Sequence, residues 1–318
     1  MTQHTIRIGT RESQLAVWQA SLVQDLLKKL NIVSELVYIK SEGDIDTVTP
    51  LYAIGVQGIF TKTLDAALLN NKIDIAVHSM KDVPTQLAKG IVQAAVLKRA
   101  SHKDILVYRD EAVGRQLSAV GDQQSVIANP LIIGTSSIRR IAQWLHRFPG
   151  HKIENLRGNV NTRLRKLQES NWDGAVFAAA GLERIGLRPK KSIDLDWMLP
   201  APAQGAIMIV CKENDNYAIE SCQLLNDEPT ALCTKIERDF LKTLMGGCST
   251  PISALAEIKD NMLQMKGNVV NPDGSSMVDI ECKSPINESN NLGVFAANDI
   301  LKRGGQNIVE SIRKKGVM

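Results

Sequence analysis

Six arginines lie where a predicted strand gives way to a predicted helix, and their side chains could bind anions. They are Arg11, Arg139, Arg140, Arg157, Arg163 and Arg184. Free backbone N–H groups and the helix dipole favour negative charge at the start of a helix. The arginine fork matches a carboxylate or a phosphate with two parallel hydrogen bonds. One such arginine is equally well explained as a solvated surface residue, but the repeated context predicts a ligand with several anionic groups.

The dipeptide Lys81-Asp82 could perform acid–base chemistry. It follows a predicted strand and precedes Val83-Pro84, where the proline ring restricts the backbone and helps to fix the loop. A carboxylate held there beside cations could act as general acid and base, or stabilise a cationic intermediate. An ordinary ion pair in a loop explains the same dipeptide, so both interpretations stay open on these residues alone.

Cys248 lies in the segment Gly246-Gly247-Cys248-Ser249-Thr250-Pro251. Such a loop lets the backbone approach a bound group closely, but it equally suits a structural turn. Thiol reactivity needs an electropositive and accessible setting that a sequence does not display, so these residues alone slightly favour the turn. A thiol enzyme pairing Cys248 with His78 is a further alternative, although His78 ends an apolar strand and has the setting of a buried histidine.

The composition argues against several classes of function. The chain has 318 residues, 44% of them apolar, and a formal charge of +4, which does not imply a nucleic-acid partner. No stretch approaches the roughly 18 to 20 apolar residues that span a bilayer, and no export signal is recognisable. Five cysteines without a C-x-x-C pair argue against a disulfide framework or a zinc site. We therefore expect a cytoplasmic protein with reduced thiols, no metal, no nucleotide cofactor and no membrane partner.

Strand and helix patterns alternate in the first half of the chain, which is typical of α/β layering. The predicted strands are 6–8, 36–39, 73–77, 105–108, 131–133, 152–156 and 174–180. Helices are predicted after the capping residue Ser13, over 61–70, and after the loops 134–137 and 157–159. A glycine-containing loop is predicted over 43–58, and an irregular connection over 109–124.

The pattern changes after Tyr217. A long helix is predicted to end near Met245, and two or three strands with a turn at Pro272-Asp273-Gly274 follow. A last helix is predicted near Leu292 to Lys302. These elements indicate a smaller α+β domain.

Seven stretches, in order across nearly the whole chain, resemble the porphobilinogen deaminase family, also called hydroxymethylbilane synthases. They are 10–16 (TRESQLA) with Trp18-Gln19, 77–84 (VHSMKDVP), 134–140 (GTSSIRR), 156–164 (LRGNVNTRL), 179–184 (AAGLER), 204–206 (QGA) and the Cys248 loop. No single stretch would suffice, but seven in the same order leave little room for chance.

The resemblance implies an α/β fold with two domains like those of periplasmic binding proteins around a cleft, plus a smaller α+β C-terminal domain. The implied boundaries are 1–100 with 200–216 for the first domain, 101–199 for the second and 217–318 for the third. In this arrangement the chain returns to the first domain at about 200–212. The resemblance also implies a monomer.

The implied activity is that of a transferase in tetrapyrrole (porphyrin and haem) biosynthesis. Four porphobilinogen molecules are deaminated and condensed head to tail, and hydroxymethylbilane is released on hydrolysis. The implied cofactor is dipyrromethane, joined to Cys248 through a thioether. Because each pyrrole carries an acetate and a propionate, cofactor and substrate form the polyanion that the arginines predict.

The resemblance also implies roles for individual residues. Asp82 matches the catalytic aspartate. The implied cofactor-binding residues, besides covalent Cys248, are Lys81, Ser13, Thr135, Ser137, Arg139, Arg140, Arg163, Arg184 and Gln204. The implied substrate-binding residues are Arg11, Arg157 and Ser79.

The chain departs from the family pattern at four places. Gln57 replaces a common lysine in the loop Gly55 to Gly58, Ala203 replaces a glycine, Val210 an acidic residue and Ser253 a glycine. None of them carries an implied catalytic role.

A non-catalytic anion- or solute-binding protein with the same two-domain cleft is the alternative function.

Overall fold

The structure is a computed structural model that describes residues 4–40, 61–119, 130–244 and 250–314. The strands in these ranges are β1 Ile6–Thr10, β2 Ser34–Tyr38, β3 Ile75–Ser79, β4 Ile91–Val96, β5 Asp104–Tyr108, β6 Ile132–Gly134, β7 Lys152–Glu154, β8 Gly174–Ala178, β9 Ser192–Asp194, β10 Ile207–Lys212, β11 Ile252–Lys259, β12 Met262–Val270 and β13 Met277–Pro285. The α-helices are α1 Gln14–Lys29, α2 Lys62–Leu69, α3 Glu111–Ala119, α4 Ile138–Arg147, α5 Val160–Glu169, α6 Ala179–Arg184, α7 Asn216–Gln223, α8 Glu228–Thr243, α9 Leu292–Ile300 and α10 Gln306–Lys314.

The first sheet has the strand order β2-β1-β3-β10-β4. Strands β1, β2 and β3 are parallel, whereas β10 runs antiparallel to both of its neighbours. Apolar side chains cover both faces: α1 packs through Val23 and Leu27 on one face, and α2 packs through Leu64 and Leu68 on the other. Burial on both faces explains why these strands are nearly continuous in apolar residues.

The second sheet repeats this plan with the order β7-β6-β8-β5-β9. Strands β6, β7 and β8 are parallel, and β5 lies antiparallel between β8 and β9. Trp144 of α4 and the residue that follows this helix, Phe148, pack on one face, and Leu167 of α5 packs on the other. Each sheet therefore presents the carboxyl ends of its parallel strands at one edge, where open α/β sheets bind ligands.

The third sheet is an antiparallel meander, β11-β12-β13. Helices α8 and α9 cover it through a core that includes Ile236, Phe240 and Ile300. Gly293 allows the two helices to approach closely, because a Cβ there would lie 2.1 Å from the carbonyl oxygen of Ile236. The predicted fold class, two α/β units and a smaller α+β unit, is confirmed.

Most predicted elements lie within two residues of the observed ones, and Ser13 caps α1 by accepting from the amide of Ala16 at 3.4 Å. The irregular connection predicted over 109–124 was wrong at its start, where α3 forms. Asp110 caps that helix by accepting from the amide of Ala112 at 2.8 Å, and buried Val113 faces the core. The sequence pattern did not predict α3 because its apolar face is short and the rest of its surface is polar.

Two further predictions were wrong in extent. The long helix expected after Tyr217 is two helices, α7 and α8, because Asp227 caps a new start at which Pro229 occupies the first turn. The strand expected to continue to Ala180 stops at Ala178, where α6 begins. The glycine-containing loop 43–58 lies outside the described residues.

The domain boundaries remain a prediction, and one packing contact refines them. Helix α7 buries Ala218 and Cys222 in the core of the first sheet beside Ile209. We therefore propose that the first domain extends through Gln223 and that the third begins in the linker before α8.

The cysteines that the structure describes are free thiols. Burial raises the pKa of Cys211 and Cys233 to about 11 and that of Cys222 to about 12. They serve as small core residues, as their apolar settings indicate. No helix in the described ranges is both long and apolar enough to cross a bilayer.

Glu237 of α8 joins the third unit to the rest of the molecule. Its carboxylate is fully buried, accepts from both terminal nitrogens of Arg99 at 2.6 and 3.1 Å, and forms an ion pair with it. The same carboxylate accepts from the amides of Ala203 and Ala256 at 2.6 and 2.7 Å. One side chain thus satisfies donors from three separate segments of the chain.

We predict that Glu237→Gln destabilises the protein by about 3 to 5 kcal/mol, because it leaves the Arg99 charge without its buried partner. Urea unfolding measures the change. Asp239→Asn on the same helix is the matched control; it breaks a surface pair with Lys235 and should cost less than about 1 kcal/mol. Equal losses in the two variants would contradict the role given to Glu237.

Candidate active site

A cleft of about 640 Å³ lies where the strand ends of the first and second sheets face each other. Its wall contains thirteen of the fourteen residues that the sequence singled out: Arg11, Ser13, Ser79, Lys81, Asp82, Thr135, Ser137, Arg139, Arg140, Arg157, Arg163, Arg184 and Gln204. Cys248 lies outside the described residues. The structure therefore brings the predicted residues together around a single space.

Lys81 and Asp82 occupy a one-turn 3-10 helix, 80–82, directly after β3. The amide of Met80 donates to the carbonyl of Ala206 at 3.0 Å, which ties this turn to the segment that leads into β10. Lys81 donates to Oε1 of Gln204 at 3.1 Å. Burial lowers the pKa of Lys81 to about 8, and the neighbouring Asp82 carboxylate partly opposes that shift.

A fully buried carboxylate, Asp104, lies behind the cleft wall at the start of β5. Oδ2 accepts from Arg139 at 2.7 Å, and Oδ1 accepts from Arg140 at 2.7 Å and from Gln204 at 3.0 Å. Burial alone would raise the pKa of Asp104, but the two guanidinium groups outweigh burial and lower the pKa to about 2. Asp104 is therefore ionised at neutral pH and partly neutralises two adjacent cations.

The hydrogen bonds to Asp104 reduce the number of N–H groups that Arg139 and Arg140 can donate to a ligand. Arg139 also donates to the carbonyl of Leu199 at 2.7 Å, and Arg140 to that of Val176 at 2.8 Å. Both residues line the cleft, but Nε of Arg139 is buried without a hydrogen-bond partner among the described residues. Sequence reasoning missed Asp104, although a carboxylate opening an otherwise apolar strand was a signal that it has a buried cationic partner.

Two other arginines stay less compensated. Burial lowers the pKa of Arg163 to about 10, with a further contribution from the nearby Arg140 charge. Burial also lowers the pKa of Arg184 to about 10; this side chain donates to the carbonyl of Gly205 at 2.7 Å and lies over the Trp18 ring. Positive charge that is costly to bury would be stabilised by a bound anion.

The cleft has the charge that a polycarboxylate ligand requires. Eight lysines or arginines line it against two carboxylate residues, Glu12 and Asp82. Helices α1, α4 and α5 direct their amino-terminal ends into the same space, which adds partial positive charge. The residues present therefore fit a group with several carboxylates, such as a dipyrromethane.

Hydroxyl groups complete the lining. Ser137 precedes α4 without capping it, and Thr135 Oγ1 accepts weakly from the Ser137 amide at 3.3 Å. Ser13 caps α1, and Ser79 accepts from Gln19 at 2.9 Å. These side chains can donate their hydroxyl protons to a carboxylate while keeping the contacts in which they accept.

The segment 203–206 requires unusual backbone geometry. Gly205 has φ +89°, and a Cβ there would lie 2.6 Å from the carbonyl oxygen of Ser101. Ala203 has φ +62°, a conformation that glycine adopts more readily, which gives a physical reason for the glycine of relatives at this place. Ser253, another departure, accepts from Gln143 at 2.9 Å and so joins β11 to α4.

The two walls of the cleft contact each other directly. Asn161 at the start of α5 donates to Oε1 of Gln14 at the start of α1, with 2.9 Å between the atoms. Arg184 of α6 lies 5.7 Å from the centre of the Trp18 ring in α1. The sequence did not single out Gln14 or Asn161 as a pair, because they are 147 residues apart.

His78 is buried in β3 and is not part of the cleft wall. Burial lowers its pKa to about 4, so the ring is neutral at physiological pH. Its proposed pairing with Cys248, and the loop that contains Gln57, involve residues outside the described ranges. Within those ranges no group of three or more His, Cys, Asp or Glu side chains is placed to hold a metal.

Comparison with known proteins identifies the family of the chain. A family profile described as "Porphobilinogen deaminase, dipyromethane cofactor binding domain" matches residues 6–220, and one described as the C-terminal domain of the same family matches 231–302. The chain is 39% identical over 316 residues to the porphobilinogen deaminase of Syntrophotalea carbinolica, covering 98% of this chain and 97% of that one. It is 37% identical over 315 residues to that of Desulforamulus reducens, covering 98% and 99%.

Solved structures match more loosely. A periplasmic domain of BvgS from Bordetella pertussis aligns with a TM-score of 0.41 and 11% identity, covering 69% of this chain and 85% of that chain. The glutamate-bound GluR0 ligand-binding core of Nostoc punctiforme aligns with a TM-score of 0.37 and 15% identity, covering 69% and 91%.

We predict that Asp104→Asn costs about 3 to 5 kcal/mol of stability at neutral pH, because two buried guanidinium groups lose their anion. The native pKa of Asp104 is depressed from 3.8 to about 2, so its stabilisation is present above 3.8 and is lost as pH falls through about 2. The gap between wild type and variant should therefore narrow over that interval. Urea unfolding at a series of pH values measures it.

The exposed Asp196, which pairs with Lys103, provides the control as Asp196→Asn, with an expected cost below about 1 kcal/mol. A gap for Asp104→Asn that stays constant down to the acid limit would show that the ion pair does not stabilise the fold.

Proposed function

This chain belongs to the porphobilinogen deaminase family, and from that premise we propose which of its residues carry out the reaction. The activity is that of a transferase in tetrapyrrole biosynthesis: four porphobilinogen molecules lose ammonia and condense head to tail, and hydroxymethylbilane is released. Nearly full-length similarity to relatives that bear the deaminase name favours this activity over a non-catalytic solute-binding protein. The observation that carries our residue assignments is the Lys81-Asp82 turn in a cleft lined by cations.

The cofactor of this family is dipyrromethane, and the profile that describes its binding domain spans the whole cleft wall. We propose that Lys81, Arg163 and Arg184 hold its carboxylates, because burial lowers the pKa of all three cations and a bound anion would stabilise their charged forms. The other cofactor contacts are assigned to Ser13, Thr135, Ser137, Arg139, Arg140 and Gln204. When bound, the dipyrromethane supplies the pyrrole carbon to which substrate units are joined. The covalent attachment is assigned to Cys248.

Gln204 has a supporting role in this assignment. Its carbonyl oxygen accepts from Lys81, while its amide donates to Asp104 and to the carbonyl of His102. Both ends of the side chain are therefore fixed. Gln204 orients the Lys81 ammonium group at the wall of the cleft.

We assign the catalytic role to the carboxylate of Asp82. It is half-buried, next to Lys81, and close enough to Arg163 for their charges to interact. Its carboxylate can exchange a proton with the departing aminomethyl nitrogen of porphobilinogen, and it can stabilise the substrate cation left when ammonia departs. A carboxylate fixed on a short turn needs little reorganisation when that positive charge develops.

Arg11, Arg157 and Ser79 are assigned to the substrate. They lie on the cleft wall at the ends of β1, β7 and β3, and they can receive the acetate and propionate of an incoming porphobilinogen. We also propose a monomeric state, which rests on the resemblance to the family. A cytoplasmic location and the absence of nucleic-acid and membrane partners are proposals that rest on the charge and the apolar pattern of the sequence. Sedimentation of the purified protein tests the monomer.

We predict that Asp82→Asn lowers kcat by about 10²- to 10⁴-fold, the usual contribution of a general acid–base group. The variant should fold and keep its cofactor, because the substitution preserves shape. Steady-state formation of hydroxymethylbilane measures kcat. Glu12→Gln alters the other carboxylate of the cleft wall, which is exposed, and should retain most of the activity. Full activity in Asp82→Asn would reassign the catalytic carboxylate.

We predict that the intact purified protein carries an added mass of two pyrrole units, and that Cys248→Ala lacks it. Cys282→Ala removes a different thiol and should keep the added mass. Intact-mass spectrometry under denaturing conditions makes the measurement, because a thioether survives unfolding. An unmodified wild-type protein with an alkylatable Cys248 would contradict the cofactor assignment.

A further inference from the structure

Arg238 of α8 holds the backbone on both sides of the Lys81-Asp82 dipeptide. One terminal nitrogen donates to the carbonyl of Val83 at 2.9 Å and, at 3.5 Å, to that of Met80. The other donates to the carbonyl of Pro84 at 2.6 Å. The three acceptors surround Asp82 in the sequence, while Arg238 is more than 150 residues away.

Two backbone hydrogen bonds help to shape the turn that carries Asp82. The amide of Val83 donates to the carbonyl of Met80 at 3.1 Å, and the amide of Met80 donates to Ala206. Pro84 has no amide hydrogen to contribute. A planar guanidinium group can satisfy several carbonyls at once, and Arg238 donates to three carbonyls of this segment.

We propose that Arg238 is a positioning residue that holds the Asp82 carboxylate in its reactive geometry; this inference rests on the catalytic role proposed for Asp82. Arg238 does not line the cleft, so it acts through the backbone and not on the substrate. It also belongs to the helix that ends shortly before Cys248.

A second cavity lies behind the turn and would admit a small ion in place of the Arg238 side chain. It has about 510 Å³ and is lined by Met80, Thr85, Leu87, Lys235, Arg238 and Lys242, among others. Removal of the Arg238 side chain would leave open space next to the carbonyls. A small guanidinium ion could enter from this side without passing through the cleft.

The experiment compares holoenzymes of wild type, Arg238→Ala and Arg238→Lys, with Lys242→Gln as the matched control. Lys242 is an exposed cation of the same helix and cavity. In Arg238→Ala we expect kcat to fall by roughly 10- to 100-fold, since a displacement of about 1 Å at a reacting group has this size of effect. KM for porphobilinogen should stay the same, because the residues assigned to its carboxylates are untouched.

Arg238→Lys should be intermediate, because one ammonium group cannot reach all three carbonyls in the same plane. Lys242→Gln should match wild type. Methylguanidinium, below concentrations that unfold the protein, should restore part of the kcat of Arg238→Ala and should not restore that of Asp82→Asn. A purely structural role would change the unfolding midpoint without this rescue.

Unchanged kcat in Arg238→Ala, or a raised KM with kcat preserved, would overturn the proposal. If Arg238→Ala does not fold, Arg238→Lys decides: wild-type kcat overturns the inference, and a lowered kcat with unchanged KM supports it. Intact mass and wild-type activity are measured alongside. A wild type without turnover or added mass would contradict the proposed function itself, whereas an active wild type beside an equally active Arg238→Ala would contradict only the role of Arg238.

Discussion

A buried carboxylate, Asp104, makes the positive cleft possible. Two consecutive arginines, Arg139 and Arg140, cannot be buried together without an anion, because desolvation and mutual repulsion both oppose it. Asp104 accepts from both and from Gln204, which in turn accepts from Lys81. The constraint extends from the first residue of β5 to the turn that carries Asp82. The charge that prepares the cleft for anions and the placement of its carboxylate thus depend on one side chain.

Glu237 likewise neutralises a largely buried cation, on the other side of the segment 200–212 in which the chain returns to the first sheet. It pairs with Arg99 and accepts from the amide of Ala203, while the next residue, Gln204, donates to Asp104. Two buried carboxylates from different parts of the chain therefore converge on consecutive residues. The left-handed backbone at Ala203 and Gly205 allows the segment to turn between them. This convergence fixes the first sheet, the second sheet and the third unit relative to the Asp82 turn.

The sequence predicted the layered fold and the composition of the cleft wall, because apolar periodicity and repeated arginines at helix starts are local signals. It did not predict the partners of those arginines. Asp104 lies 35 residues from Arg139, and Glu237 lies 138 residues from Arg99, so no spacing rule connects them. The resemblance supplied the ordered motifs and the role of Asp82, whereas local patterns misjudged α3 and the break at Pro229. The pattern missed α3 because most of its surface is polar. It missed the break at Pro229 because the residues on either side have helical periodicity.

The distribution of charge in the cleft suggests why the half-buried carboxylate of Asp82 can be catalytic among many cations. On the residue assignments proposed above, the contacts between these cations and the carboxylates of the bound pyrroles are present in the ground state and in the transition state alike. They contribute to binding and little to rate. When ammonia leaves, positive charge passes from the aminomethyl nitrogen to the pyrrole ring, and the surrounding arginines oppose it there. Asp82, to which we assign the catalytic role, can compensate this charge, and a benefit of that kind is specific to the transition state. A displaced turn would keep the binding contacts and lose this compensation, which is why the carbonyls that Arg238 holds matter for rate more than for affinity.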